Sequence, residues 1–289
     1  MPAYDRPPAY ARPVLHILDA RTGEPVPAAP TRRGLTRIEA HACGLDPTAL
    51  RVLLTADLLV RALELTGTPV WTALTAPHGH AELRTAATTL AIRPFEDARD
   101  LASGLGEAQA IHVTAEQVDA YGGGPVMWVA PVEWTGAASG GPAAGTASGG
   151  VPDEAGVPDE WAVPGRGGLS GGGALLADPA ALRLALLSVP RSEPVRLDRA
   201  VLEEAAGRLA GWRRAVAGWA RQPSRPVPEG VRGRLRSAWE DDLDLPGVLD
   251  VLRAVESAPD LPDGARFETY VYADRLLALD LARDLGSLA

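Results

Sequence analysis

Apolar positions between residues 14 and 133 switch between two periods, and the switches mark out elements. Val14-Leu15-His16-Ile17-Leu18 is a short apolar run before the turn Thr22-Gly23-Glu24-Pro25, and it predicts a strand. Leu35 to Cys43 alternates in part, through Ile38, Ala40 and Ala42, and predicts another. The period then becomes helical, with Leu50, Leu53, Leu54, Leu58 and Leu65 on one broad face. Asp46 is placed to cap that helix, Pro47 suits its first position, and Gly67 follows its end. Thr68 to Leu74, Gln109 to Val113 and Val126 to Val132 read as further strands, and Ala81 to Leu90 and Phe95 to Leu101 as helices. Strand and helix alternating at this spacing imply an α/β class with a parallel, Rossmann-like sheet over residues 14–135.

Outside that region the pattern changes. Residues 2–7 and 8–13 are one proline-containing hexapeptide written twice, Pro-Ala-Tyr-Asp-Arg-Pro and Pro-Ala-Tyr-Ala-Arg-Pro, which predicts an extended, disordered arm. Residues 136–150 contain only Gly, Ala, Ser, Pro and Thr. Gly-Val-Pro-Asp-Glu then occurs twice, and residues 165–173 are mostly glycine, so 136–173 reads as a linker. From 174 to 289 the chain is helical in pattern. Asp178-Pro179 and Asp198 are start signals, and Gly230 to Trp239, Leu245 to Val255 and Ala265 to Leu285 give three more helices, which together predict a C-terminal bundle.

Charge removes some functions. The net charge of −9 argues against a broad surface for nucleic acid or anionic membrane. Residues 174–289 hold 16 arginines and 18 acids, so the predicted bundle is close to neutral. The chain has no lysine, and every one of its 28 basic residues is arginine. Chemistry that needs a lysine, such as a Schiff base or a P-loop, is therefore excluded from these residues. Cys43 is the single cysteine, so no internal disulfide and no multi-cysteine zinc site can form. No apolar run approaches the length of a membrane span and the N-terminus is not a signal peptide, so a cytoplasmic protein is expected.

The order of these pieces resembles the cysteinyl-tRNA synthetases, and more closely the mycothiol-pathway ligases that join cysteine to glucosaminyl-inositol. Thr22-Gly23-Glu24-Pro25 resembles their opening hairpin, and Ala42-Cys43-Gly44 their first-strand Cys-Gly. Asp178 to Leu187, Leu202 to Val216 with Trp212-Arg213-Arg214, and Asp241 to Pro246 resemble their helical part. The resemblance implies three catalytic features that this sequence lacks. A histidine turn that meets ATP phosphates should follow Cys43-Gly44, but Leu45-Asp46-Pro47 leads straight into a helix. A mobile lysine loop should precede Asp178, where Gly167 to Gly173 stands with only Arg166 nearby. Of the zinc set that reads the cysteine thiol, only Cys43 has a matching position.

The sequence thus predicts a catalytically degenerate relative, kept as a binding, scaffold or regulatory protein, with no cofactor. The alternative is a cysteine-activating ligase in which Arg33, Arg51 and Arg166 replace the lost groups and bind ATP. His41 and Cys43, two apart on one strand, complete the candidate substrate or nucleotide pocket. Two ligands are too few for a metal, and none is expected. Trp212 and Trp219, seven apart, form a stripe that is either core or interface, as do Phe267 and Tyr270 on the last helix. The expected partner is another protein or a second copy, not tRNA and not a membrane.

Overall fold

Residues 14–29, 35–97, 107–116, 121–135 and 175–286 are those that the computed structural model describes. The arm and the linker, with Arg33 and Arg166, lie outside them. The first hairpin pairs β1 (His16–Leu18) with β2 (Pro25–Pro27) antiparallel. The central sheet follows, built from β3 (Leu35–His41), β4 (Val70–Thr75), β5 (Glu96–Asp97), β6 (Glu107–Thr114) and β7 (Val126–Trp128). Its order is β5-β4-β3-β6-β7, and every neighbouring pair is parallel. This is the α/β class that the alternating pattern predicts.

Helix α1 (Pro47–Leu65) starts where its capping residues put it, the Asp46 carboxylate accepting from Ala49 N at 2.7 Å. Gly67, at φ +80°, takes the left-handed turn after its end. Helix α2 (His80–Thr89) crosses from β4 to β5. After β8 (Val132–Trp134) come α3 (Pro179–Leu187), β9 (Val195–Leu197), α4 (Arg199–Trp219), α5 (Glu229–Glu240), α6 (Leu245–Ser257) and α7 (Asp263–Leu277). Asp178, Asp198 and Asp244 cap α3, α4 and α6 with their carboxylates.

Four elements differ from the pattern. Of the helix predicted over 95–101, residues 98–101 lie outside the described ones, and Glu96–Asp97 pairs instead with Ala73–Leu74 at the sheet edge. The predicted strand 126–132 breaks at Pro131, which has no N–H to give a ladder. Its last residue, Val132, opens β8, which pairs parallel with β9, a three-residue strand that the pattern does not announce. The last helix stops at Leu277, where Ala278 turns left-handed at φ +49°. Asp274 takes up the amides beyond it, accepting from Leu279 N at 2.7 Å and Leu281 N at 2.9 Å.

Helix α1 is buried almost all round, from Ala49 to Leu63. The sheet covers one side through β3, β4 and β6, and α7 and β8 meet it elsewhere. One apolar core therefore runs from Ile38 and Ile111 through Leu53 and Leu59 to Leu184, Trp212 and Leu276. Trp212, Trp219 and Tyr270 belong to it, 2%, 9% and 0% exposed, with both tryptophans edge-on to the tyrosine ring. Of the two readings of that stripe, core is the one found, because α4 and α7 turn those faces toward each other. Phe267 is half-buried and packs against the same core. Replacing Trp219 with alanine should cost about 3–5 kcal/mol, read as a lower denaturation midpoint at unchanged slope.

Two arginines join this core from opposite directions. Arg183, in α3, donates to Leu90 O at 2.9 Å, Leu277 O at 2.6 Å and the Asp57 carboxylate at 3.2 Å. Arg51, in α1, donates to the carbonyls of Ala130, Val189, Pro190 and Glu193 at 2.6–3.3 Å. Burial pulls each guanidinium down to about 10, which leaves both charged at neutral pH. Asp57 also receives Arg61 at 2.8 Å and Arg93 at 3.1 Å on a carboxylate with no exposed surface. Burial alone would raise the Asp57 carboxyl, but Arg183 and Arg61 hold it below its ordinary range. A carboxyl depressed in the folded state gives stability that is complete above its unfolded pKa and lost as pH falls through the folded one. Asp57→Ala should cost about 3–5 kcal/mol by leaving Arg183 unpaired. Asp57→Asn should in addition flatten the loss of stability below about pH 4, measured by urea titration across pH.

Candidate functional site

In a doubly wound sheet the strand order reverses at one place, and the crevice beyond the carboxyl ends of those two strands is where ligands enter. Here the reversal lies between β3 and β6. Strand β3 buries Thr36, Ile38 and Ala40 on one face and turns Arg37, Glu39 and His41 to the other. Register sets Glu39 beside His112 and His41 beside Thr114.

Those side chains meet. His41 Nε2 is 3.0 Å from His112 Nδ1, and the same His112 nitrogen is 3.5 Å from Glu39 Oε2. Thr75, on β4, donates its hydroxyl to Glu39 Oε1 at 3.1 Å. The Tyr121 ring lies on His41, 4.1 Å between centroids, with its hydroxyl 2.8 Å from Thr114 Oγ1. Arg21 fixes the Tyr121 loop by donating to the carbonyls of Tyr121, Gly122 and Gly124 at 2.6–2.8 Å. Gly124 passes so close to β6 that a Cβ there would lie 2.2 Å from Ala110 O, and at φ +115° the position suits glycine alone.

Burial drives the electrostatics. It lowers His41 to about 4 against the opposing pull of Glu39, and lowers His112 as well. At neutral pH the pair is two neutral imidazoles sharing one hydrogen bond beside a carboxylate. His112 is 5% exposed, and its Nε2 makes no hydrogen bond.

Next to this cluster, His41, Cys43, Asp46, Thr48 and Glu116 line a cleft of about 240 Å³. The start of α1 closes one side of it. Asp46 takes up Ala49 N, Pro47 has no N–H, and Thr48 Oγ1 accepts from Val132 N at 2.9 Å.

Of the sequence-predicted pocket residues, His41 and Cys43 do share the cleft. Arg51 does not reach it, because its guanidinium is turned into the carbonyls of 130 and 189–193. The pattern missed Glu39, two positions before His41 on the same face of β3, and His112 and Tyr121, which the pairing of β3 with β6 and the return of the loop bring to His41. His80, the first residue of α2, lies 3.8 Å from the Asp97 carboxylate.

No protein-family model matches the chain. It is nonetheless similar, over part of its length, to the L-cysteine:1D-myo-inositol 2-amino-2-deoxy-alpha-D-glucopyranoside ligases. The Streptomyces griseus enzyme is 44% identical over 84 residues, 28% of this chain and 20% of the ligase. The Streptomyces avermitilis enzyme is 43% identical over 72 residues, 25% and 17% respectively. About a quarter of this chain is similar to these ligases. The Rhodococcus erythropolis enzyme agrees, 44% identical over 88 residues, 27% of this chain and 19% of that one. The chain spans about a fifth of the length of these relatives.

The His41 assignment is measurable. The folded ring takes its proton near 4 and an unfolded one near 6.5, so between those values the unfolded chain binds more protons and folding weakens as pH falls. His41 therefore contributes stability that is complete above about pH 6.5 and is lost toward pH 4. Imidazole proton shifts followed by NMR should show His41 titrating near 4, whereas a midpoint near 6.5 would mean a solvated ring.

Proposed function

We propose that this chain is a non-catalytic relative of the cysteine-activating ligases, one that works by binding rather than by adenylate formation. The observation that supports it is the start of α1. A helix N-terminus receives phosphate through its free N–H groups and the positive end of its dipole. Here the chain's own Asp46 carboxylate accepts from Ala49 N, Pro47 removes a donor, and Glu116 adds a second negative charge to the cleft. A triphosphate entering this cleft would meet two carboxylates. The family's histidine turn has no counterpart between Cys43 and Pro47, and no lysine occurs in the chain to answer the charge that develops on pyrophosphate.

A protein partner, or a second copy, suits the C-terminal helices better than tRNA does. Several of their arginines are paired with acids of the same helix, Arg199 with Glu203, Arg208 with Glu204, Arg236 with Glu240 and Arg266 with Asp263. Pairing of this kind leaves little net positive field for a phosphate backbone.

Cysteine-dependent exchange of pyrophosphate into ATP, measured on the purified chain, should stay at background. Loss of a single charge-stabilising donor typically lowers such rates by about 10²–10³, and several are missing together. Exchange well above background would refute the proposal. So would tight, salt-sensitive binding of tRNA refute its partner class.

A further inference from the structure

We propose that Glu39, His41 and His112 form a site for one divalent transition-metal ion, with zinc the best match. Each offers one ligand atom, and the three atoms lie within 4.8 Å of one another. Two imidazole nitrogens and one carboxylate oxygen make a donor set of intermediate softness, suited to zinc rather than to magnesium or calcium.

The spacing supports this more than the residue types do. A tetrahedral zinc with bonds of about 2.0–2.1 Å needs donors about 3.3 Å apart. His41 Nε2 and His112 Nδ1 are 3.0 Å apart, and His112 Nδ1 and Glu39 Oε2 3.5 Å. An ion would need only small side-chain movements. It would replace the single proton that the two nitrogens share, and that proton moves to the other nitrogen of its own ring, so no charge is added to the imidazoles.

The surroundings are those of a held site. Parallel pairing of β3 with β6 fixes Glu39 against His112, so two ligands sit on rigid strands rather than on loops. Thr75 donates to Glu39 Oε1, the kind of outer contact that orients a ligating carboxylate, while Oε2 lies 3.5 Å from His112 Nδ1 and 3.7 Å from the Arg37 guanidinium, whose place beside it the ion would take. Tyr121 covers both imidazoles, at 4.1 Å and 5.5 Å between centroids. His112 is buried, and its Nδ1 edge faces His41 and Glu39. Three protein ligands leave a fourth position for water or a small ligand. His41 belongs both to the cluster and to the cleft wall, which connects that position to the crevice.

The test uses the full chain, stripped with EDTA and titrated with Zn²⁺ and, separately, Co²⁺. Binding of one ion per chain, a rise in Tm and the visible absorption bands of tetrahedral Co²⁺ are expected. Thr75→Val should weaken Zn²⁺ about 10–100-fold, as loss of an outer-shell contact typically does. Glu39→Gln and His41→Gln, which are less buried than His112, should each weaken it further while the apo proteins keep the wild-type circular dichroism. Cys43→Ser should bind like wild type. Absence of Zn²⁺ binding at micromolar concentration would overturn the site. Binding that survives both Glu39→Gln and His41→Gln, or that is lost in Cys43→Ser, would overturn this set of ligands.

Discussion

A single carboxylate with no access to water organises this molecule. Asp57 lies near the middle of α1 and faces three arginines, one from its own helix, one from the segment after α2 and one from α3. Such a group is costly to bury alone and tolerable only when its partners are all in place. Arg183 in turn finds its remaining acceptors at Leu90 and Leu277, the residues that end α2 and α7, where carbonyls lack helical partners and carry partial negative charge. One ionic contact therefore fixes the positions of four helices. Arg51 does the same for the segment around 189–193 with carbonyls alone. The guanidinium's five donors make both arrangements feasible, and a lysine ammonium in either place would leave carbonyls unanswered.

This explains why the sheet and the C-terminal helices form one core although they differ so clearly in pattern. Helix α1 is apolar nearly all round because it is covered from both sides. The crevice at the strand reversal is left with a polar face, and the side chains gathered there are the ones a conventional core would exclude. Glu39, His41 and His112 stand on strands whose opposite faces are Ile38, Ala40, Ile111 and Val113. Alternation along a strand thus permits a dry apolar layer and a polar one about a single backbone.

Local signals were legible in the sequence. Asp46-Pro47 with Gly67, Asp178-Pro179 and Asp198 each mark an end that the structure has, because a cap is decided by a few adjacent residues. Strand pairing is not local. Nothing near His112 says that it will lie against Glu39, 73 positions earlier, and the three residues of β9 are too few to show a period. Buried arginines were hidden for a different reason. Arg51 and Arg183 sit among leucines in amphipathic patterns where a charge reads as surface, and only the supply of carbonyls around them makes burial tolerable. The Trp212–Trp219 stripe was legible as a face, but spacing cannot say whether the chain itself covers it. His41 was found from its strand and Cys43 from the residues just past it, whereas His112 and Tyr121 came from the neighbouring strand and its loop.

The small β8–β9 ladder has a consequence for how the chain can be divided. Val132–Trp134 and Val195–Leu197 run side by side, and Thr135 N donates to Leu197 O at 2.8 Å just past them. The backbone on either side of residues 136–174 is thus stitched together independently of whatever connects it. Two polypeptides separated within that stretch would each carry one strand of the ladder and an unfinished apolar surface, the first keeping Asp57 with Arg61 and Arg93 and the second only Arg183. Arg183 would lose its carboxylate and one carbonyl partner, and Arg51 the carbonyls of 189–193, so each piece leaves groups that the other satisfies.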